Sequence, residues 1–210
     1  MATINDIDHI VWAVRNLEEG MNLFLQKTGV QPTYGGLHTT QGTKNALVKI
    51  GPRSYFEILA PDLDSKIQAN RWMGIDEIAH PKITRWALST DDIYAKRDTL
   101  KSYDPALAII SEGSRLLQSG GTLQWRMTLP TATPMVQLAP FYIDWSDSVY
   151  HPCDQLDQHC TITSIQFYHP APASIRTLYQ DLTLKKHDII KGQVNICLTL
   201  ATPKGLVTFE

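Results

Sequence analysis

The sequence predicts an α+β fold built from tandem βαβββ modules, with the helices on the outer face. Three observations support this prediction. Strand-like apolar segments are followed by helix caps, the same pattern recurs 76 to 77 positions later, and 43% of the 210 residues are hydrophobic. This length and composition suffice to build a folded core of one large domain or two small ones.

The first predicted unit covers residues 5–60. It begins with an apolar segment typical of a buried strand, and Asn16 then provides an N-cap before apolar residues at helical spacing. Residues 36–50 have the strand–glycine–strand pattern of a hairpin, and residues 55–59 predict a last strand. The unit therefore contains one strand, one helix and three further strands.

The second predicted unit, residues 82–146, repeats this order. Asp91 or Asp92 caps its helix, and Asp92 lies 76 positions after Asn16. The glycine that opens the hairpin segment recurs after 77 positions, at Gly113. We expect two units related by a pseudo-twofold axis, each with the apolar stripe of its helix packed on the convex face of a sheet.

The repeats define the predicted domains. Residues 1–146 form one domain made of the two units, and residues 147–210 form a partial third unit packed on it. A strand at 162–169 and a helix at 173–182, followed by two more strands, support the third unit. The strand residues expected to be largely buried are Trp12, Leu59, Trp86 and Trp145.

The charge and the cysteines limit the classes of function. A formal net charge of -2 argues against a nucleic-acid partner, and the absence of an apolar run of about 18 residues argues against a membrane partner. No secretory leader pattern is visible, and the odd set Cys153, Cys160 and Cys197 suits reduced thiols. We therefore expect a cytoplasmic protein whose partner is a small-molecule ligand, and a homodimer remains open.

Several short motifs follow one another in a defined order. They are Asp8-His-Ile-Val11, Gly35-Gly-Leu-His38, Gly42-Thr-Lys-Asn45, Tyr55-Phe-Glu57, Arg115 with Trp125-Arg126, and Pro140-Phe-Tyr-Ile-Asp-Trp145. In order and spacing, over roughly residues 5–180, they resemble the glyoxalase-like domain family of the vicinal oxygen chelate superfamily, which includes glyoxalase I and extradiol dioxygenases. The resemblance implies that the paired units form curved mixed sheets around a cup-shaped site, with the helices on the outer face.

The resemblance also implies positions for metal ligands on the first and last strand of each unit. In the first unit these positions hold His9 and Glu57. In the second they hold Arg85 and, by a weaker alignment, Asp144, and arginine cannot coordinate a metal. The resemblance thus implies a divalent metal at His9 and Glu57, with Zn, Ni, Mn, Fe and Mg indistinguishable, and leaves open that none is bound.

His9 and Glu57 are the candidate catalytic residues. The imidazole of His9 is a general base or a metal ligand, or else a buried histidine satisfied by a neighbouring carbonyl. Glu57 lies in an apolar strand, so an inward carboxylate needs a partner, whereas an outward one would face solvent. Arg85, if inward, is a fixed cation for an anionic substrate or a partner for Glu57, and we expect all three side chains to converge.

The remaining substrate-binding candidates come from matched or neighbouring strand positions. His38 and Arg115 are 77 positions apart and either line the cup or mark its solvated rim. Trp125 is either a wall of the substrate site or part of the core, and Asp144 repeats the situation of Glu57.

Two functions fit these residues best. The first is a small-molecule enzyme of the isomerase or lyase type, with or without a bound metal, that acts on an anionic or vicinal-oxygen substrate. The alternative is a binding protein of the same fold that sequesters a metabolite or antibiotic without turnover. A structural or interaction module with a closed core is the third interpretation.

Overall fold

The computed structural model of the chain describes residues 7–117, 121–184, 187 and 189–210. The first residues of the first predicted unit, the turn of the second predicted hairpin and a short part of the predicted C-terminal unit lie outside the described residues.

Both predicted βαβββ units are present. The first comprises β1 (Ile7–Ala13), α1 (Leu17–Thr28), β2 (Thr33–His38), β3 (Thr43–Gly51) and β4 (Ser54–Pro61). The second comprises β5 (Lys82–Ser89), α2 (Ile93–Tyr103), β6 (Ile110–Leu116), β7 (Thr122–Thr128) and β8 (Phe141–Asp144). The predicted α+β class with repeated strand–helix–three-strand units is confirmed.

Side-chain caps fix where the two helices begin. Asn16 Oδ1 accepts a hydrogen bond from the Glu19 backbone N–H at 3.1 Å, and Asp92 Oδ1 accepts one from the Ala95 backbone N–H at 3.0 Å. These bonds satisfy N–H groups that have no partner in the first helical turn. The structure thus selects Asp92 over Asp91 as the second cap.

The two units close into one barrel. The strand order is β1-β4-β3-β2-β6-β7-β8-β5, and in each unit the first strand pairs in parallel with the last. The units meet through two antiparallel pairs, β1 with β5 and β2 with β6. This symmetrical order is the cup-shaped mixed sheet that the repeat predicted.

The side chains of β1 show how the barrel separates its two faces. Ile10 and Trp12 belong to the apolar cluster that also contains Phe24 of α1 and Leu100 of α2, whereas Val11 belongs to a second cluster with no helical member from α1 or α2. Successive strand residues point to opposite faces, so the helices cover the outside and the second cluster fills the interior. Among the described residues, no helix is long and apolar enough to cross a membrane.

The C-terminal part forms a separate four-stranded sheet. Its elements are β9 (Thr161–His169), α3 (Ala173–Asp181), β10 (Ile189–Lys191), β11 (Asn195–Thr202) and β12 (Gly205–Phe209), in the sheet order β10-β9-β11-β12. Here the first strand pairs in parallel with the strand directly after the helix, which differs from the barrel units. The sheet packs on the outside of the barrel, where Phe209 contacts Trp12 and Phe167 contacts Trp86.

The predicted burial of strand residues is confirmed for three of four positions. Trp12, Leu59 and Trp86 are at most 3% exposed. The prediction for Trp145 was wrong, because this residue is only partly buried. It follows the last residue of β8 and lies at the edge of the barrel interior, where its indole N–H donates to Asp8 Oδ2 at 3.0 Å.

Candidate functional site

A pocket inside the barrel combines polar groups and aromatic walls from both units. It brings together the predicted site residues His9, His38, Glu57, Arg115 and Trp125. The other lining residues are Asn45, Tyr55, Trp72, Phe141, Ile143 and Trp145.

The parallel pairing of β1 with β4 positions the two catalytic candidates. His9 lies beside Tyr55, and Val11 lies beside Glu57, so both candidates face the interior. The His9 ring stacks on Tyr55 with centroids 4.7 Å apart and meets the edge of Phe141 at 5.3 Å. These contacts restrict the imidazole to one orientation in the pocket.

The carboxylate of Asp8 contacts His9 on the side of the ring that faces away from the pocket. This buried carboxylate contacts His9 Nδ1 at 2.7 Å and His151 Nε2 at 3.2 Å. It also accepts hydrogen bonds from Ser89 Oγ at 2.8 Å and Trp145 Nε1 at 3.0 Å. A carboxylate with four donors around it stays ionised and accepts only.

The tautomers of the two histidines follow from that carboxylate. Burial raises the pKa of Asp8, but the hydrogen bonds and charges of His151 and His9 outweigh burial and hold the pKa below its ordinary value. His9 Nδ1 must therefore carry a proton and donate it. His151 donates through Nε2, since its Nδ1 accepts from the Cys153 backbone N–H at 3.2 Å. In neutral His9 the lone pair is thus on Nε2, which points into the pocket.

Glu57 faces this lone pair. The distance from His9 Nε2 to Glu57 Oε2 is 3.8 Å, which is longer than a hydrogen bond. Glu57 Oε1 instead accepts from Asn45 Nδ2 at 2.6 Å, and Asn45 Oδ1 in turn accepts from Arg115 at 3.4 Å. Asn45 therefore separates the carboxylate from the guanidinium, and both remain available to a ligand.

Two glycines of β2 make room for Arg115. A side chain at Gly35 would collide with the Asn45 amide and the Arg115 guanidinium, and one at Gly36 would collide with Arg115 and with the backbone of the neighbouring strand. Gly36 also has φ +146°, a conformation that favours glycine. The guanidinium is thus set into the wall of the barrel, and Arg115 is 6% exposed.

His38 is a neutral neighbour of this cation. Its Nδ1 lies 2.9 Å from Thr43 Oγ1 and its Nε2 lies 3.4 Å from Asn45 Nδ2. Burial, supported by the charges of Arg115 and His9, lowers the pKa of His38 to about 3. His38 therefore adds no positive charge to the pocket at neutral pH.

The donor set does not fit the divalent metal implied by the resemblance. His9 Nε2 and Glu57 come from the first unit, but the inward positions of β8 hold Phe141 and Ile143. Arg115 brings a positive charge into the same space, which opposes a cation. Among the described residues, no group of three His, Cys, Asp or Glu side chains is arranged to hold a metal ion.

Arg85 does not converge with the catalytic candidates, and that expectation was wrong. Its guanidinium donates to the carbonyl oxygens of Thr131 at 2.9 Å, Thr133 at 2.6 Å and Met135. Burial lowers the pKa of Arg85 to about 10, so it remains a cation at neutral pH. Arg85 is not among the residues that line the pocket, and its charge is used to fix the loop before β8.

Asp144 also lies outside the pocket, which corrects its expected role there. Phe141 and Ile143 take the inward positions of β8, so the alternation of the strand turns Asp144 away. Its carboxylate accepts from Arg126 at 3.2 Å and from the Ser146 backbone N–H at 2.8 Å. Trp125, by contrast, lines the pocket as a wall and packs on Trp145 at 5.2 Å.

A connector between the units covers the pocket. Trp72 begins the short 3₁₀ segment Trp72–Glu77, and its indole N–H is buried without a partner. Arg71, 4% exposed, holds the connector through Asp76 at 2.6 Å and the Asp62 carbonyl at 3.2 Å. The void left inside measures about 20 Å³, which is room for about one water molecule. A larger ligand therefore enters only if a wall such as Trp72 moves.

Sequence reasoning gave no role to Asp8, Asn45, Trp72 or His151. Asp8 and Asn45 stand inside two of the quoted motifs, but nothing in their spacing indicated that they hold His9 and Glu57. Asp8, directly before His9 in the sequence, was the one available signal, because Glu57 is flanked by Phe56 and Ile58. Trp72 and His151 come from connectors without a strand or helix period, so no pattern pointed to them.

A family profile and one solved structure agree with this architecture. A sequence profile of the glyoxalase-like domain matches residues 7–183. The crystal structure of a hypothetical protein from Staphylococcus aureus is similar with a TM-score of 0.65 and 16% identity, over 97% of this chain and 98% of that one. Methylmalonyl-CoA epimerase from Mycobacterium tuberculosis is similar with a TM-score of 0.44 and 17% identity, over 69% of this chain and 92% of that one. No curated protein matches the chain.

Proposed function

Since the chain belongs to the glyoxalase-like domain family, we propose that it is an enzyme of the isomerase or lyase type. Its substrate is a small anionic or vicinal-oxygen molecule that loses and regains a proton in the barrel pocket. One observation carries this proposal: Asp8 fixes His9 in the tautomer that presents a basic Nε2 to the pocket, 3.8 Å from Glu57 Oε2.

His9 is the proposed general base. Its Nε2 takes a proton from a carbon next to a carbonyl group, which leaves an enolate on the substrate. The resulting imidazolium lies between Asp8 and Glu57, and both carboxylates stabilise its charge. Return of the proton to another atom gives an isomer, and departure of a neighbouring group gives a lyase product.

Glu57 and Trp72 are the proposed partners of His9. Glu57 is the second group that moves a proton, because its Oε2 has no hydrogen-bond partner among the described residues at 3.5 Å or less. The unpaired indole N–H of Trp72 is the proposed donor to the oxygen on which negative charge develops. No step of this proposal passes through a metal.

The test is proton exchange in D₂O followed by ¹H NMR. A panel of small 2-oxo and 2-hydroxy carbonyl compounds is incubated with wild type, His9→Gln and Glu57→Gln. We expect loss of a C–H signal with wild type and a fall by about a hundredfold or more in either variant. His80→Gln, at an exposed histidine, is the matched control and should exchange like wild type.

The outcome that contradicts catalysis is equally clear. If a compound binds in the pocket but wild type exchanges none of its protons and forms no product, the protein is a binding protein and not an enzyme. Exchange that survives in His9→Gln would remove His9 from the role of base.

We also propose that the protein acts in the cytoplasm. Cys153, Cys160 and Cys197 are free, and the first two are buried, which suits a reducing compartment. A homodimer stays a prediction, and sedimentation of the purified protein tests it.

A further inference from the structure

We propose that the pocket recognises a small carboxylate, whose acid group is bound by Arg115. This inference rests on the proposed function, because it names the substrate class of the same site. It starts from the hydrogen bonds of one buried cation.

Arg115 is a buried guanidinium without an anionic partner. It is 6% exposed, its Nε has no hydrogen-bond partner, and it donates at 3.4 Å to Asn45 Oδ1. Among the described residues, no carboxylate lies within 4.0 Å of it. A guanidinium has five N–H donors, and burying it unpaired costs free energy.

The other buried arginines show that this is unusual within the same molecule. Arg71 pairs with Asp76 at 2.6 Å, and Arg85 donates to the carbonyls of the loop before β8. Arg126, which is more exposed, contacts Asp144 at 3.2 Å and Asp147 at 3.3 Å. Arg115 is the arginine that lines the pocket, and among these four it is the one with neither a carboxylate nor a set of carbonyl oxygens as partners.

The surrounding residues keep Arg115 in this state. Asn45 stands between it and Glu57, so the nearest carboxylate of the pocket bonds to the amide and not to the guanidinium. Gly35 and Gly36 provide the space that the arginine occupies, since a Cβ at either position would collide with it. The site is therefore built into the barrel wall and does not depend on a mobile surface side chain.

The charge balance favours a carboxylate over a phosphate. One guanidinium neutralises one negative charge, and its planar fork matches the two oxygens of a carboxylate. His38 supplies no second positive charge, because burial keeps it neutral. Glu57 would repel the second charge of a phosphate dianion.

The order of the side chains along the pocket wall places the reacting carbon. Contacts of 3.4 Å, 2.6 Å and 3.8 Å connect Arg115 through Asn45 and Glu57 to His9 Nε2. Aromatic rings close the remaining sides. Once a wall such as Trp72 moves aside, a short acid bound at Arg115 extends toward Nε2, where a carbon next to a carbonyl group, such as the methyl carbon of pyruvate, can lose its proton.

Titration with pyruvate, inorganic phosphate and uncharged pyruvamide tests the inference. Trp72, Trp125 and Trp145 line the pocket, so tryptophan fluorescence reports occupation and calorimetry confirms it. We expect pyruvate to bind about tenfold or more tightly than the other two compounds. Arg115→Lys should weaken pyruvate binding by about tenfold, because lysine lacks the planar fork of the guanidinium. Arg115→Gln should abolish pyruvate binding. Arg53→Gln, at a side chain that is 60% exposed, is the matched control and should bind like wild type.

The melting temperature separates ligand binding from a structural role. Removal of an unpaired buried charge should leave ligand-free Arg115→Gln at least as stable as wild type, whereas loss of a structural arginine lowers the melting temperature. His9→Gln should still bind pyruvate even though it no longer exchanges protons. Retained binding in Arg115→Gln, tighter binding of phosphate or pyruvamide, or no binding of pyruvate overturns the carboxylate assignment.

The two proposals fail in different ways. Pyruvate binding that depends on Arg115 without proton exchange for any compound would leave the carboxylate site intact and contradict the enzyme. Proton exchange on an uncharged compound, at a rate that does not depend on Arg115, would support the enzyme and contradict the carboxylate site.

Discussion

Trp86 is the residue whose removal should most weaken the attachment of the C-terminal sheet to the barrel. It is 0% exposed on the outer face of β5. Its ring lies 4.7 Å from Phe167 and 6.2 Å from Tyr179, and its Nε1 donates to the Leu138 carbonyl at 2.7 Å. Trp86→Ala therefore removes apolar contact and one hydrogen bond from the junction of two sheets.

The expected cost follows from these contacts. A buried indole covers roughly 200 Å², which at about 25 cal/mol per Å² corresponds to about 5 kcal/mol as an upper value. Lost hydrogen bonding adds little, because the Leu138 carbonyl also accepts from Tyr179 Oη at 2.9 Å. Since part of the cavity can collapse, we expect the free energy of unfolding to fall by about 4 kcal/mol.

Urea unfolding monitored by circular dichroism measures this value. Trp86→Phe keeps an aromatic ring at the junction and should lose about half as much. Tyr94→Ala, at a side chain that is 52% exposed, is the control and should change the free energy by no more than about 0.5 kcal/mol. A loss below about 1 kcal/mol for Trp86→Ala would refute the reasoning, because it would show that the indole does not fill the junction.

Four further results are expected. The pKa of His38 falls from 6.5 to about 3 on folding, so only the unfolded chain binds a proton between those values. The contribution of His38 to the free energy of unfolding is therefore full above pH 6.5 and falls by about 1.4 kcal/mol per pH unit below it, or about 2 kcal/mol by pH 5. A pH series of urea unfolding curves measures this fall, and His38→Asn should flatten it. Asp8→Asn should lower proton exchange by about a hundredfold or more, since the amide can also accept from or donate to His9 Nδ1 and no longer fixes the tautomer. Gly35→Ala should lower the free energy of unfolding by roughly 1–3 kcal/mol and weaken pyruvate binding, because the added Cβ collides with Asn45 and Arg115. Melting temperatures measured with and without pyruvate test both effects. Incubation with a chelator should leave exchange rates unchanged, because the donor set does not suit a metal, and a loss restored by added metal would contradict that view.

The fold was accessible from the sequence because its signals are local and repeated. Asn16 and Asp92 cap equivalent helices, and the glycine-interrupted strands recur at nearly the same offset. Caps and strand periods depend on neighbours along the chain, so one sequence is enough to recognise them. The closure of the barrel through β1 and β5 followed from the resemblance and not from any such local signal.

The site was accessible only in part, because strand register is a tertiary property. The repeat aligned Arg85 with His9, but the β1–β5 pairing shifts on either side of this region and sets His9 opposite Ala87. The register shift next to Asp8 also lets the side chains of Asp8 and His9 form a hydrogen bond with each other. In a regular strand, consecutive side chains point to opposite faces and would not meet. His9 and Glu57 were found because the resemblance assigns these two strand positions to ligands, and because an imidazole and a carboxylate inside apolar strands are unusual.

The central claim is that Asp8 holds neutral His9 with a proton on Nδ1 and a lone pair on Nε2. Nitrogen NMR of protein with ¹⁵N-labelled histidine tests this directly, because protonated and bare ring nitrogens differ strongly in chemical shift. The signals of His9 are those that disappear in His9→Gln. We predict that the neutral ring has its proton on Nδ1 and a bare Nε2, and that Asp8→Asn mixes the two tautomers. A neutral His9 ring with its proton on Nε2 in the wild-type protein would contradict the account, because the lone pair would then face Asp8 and not the pocket.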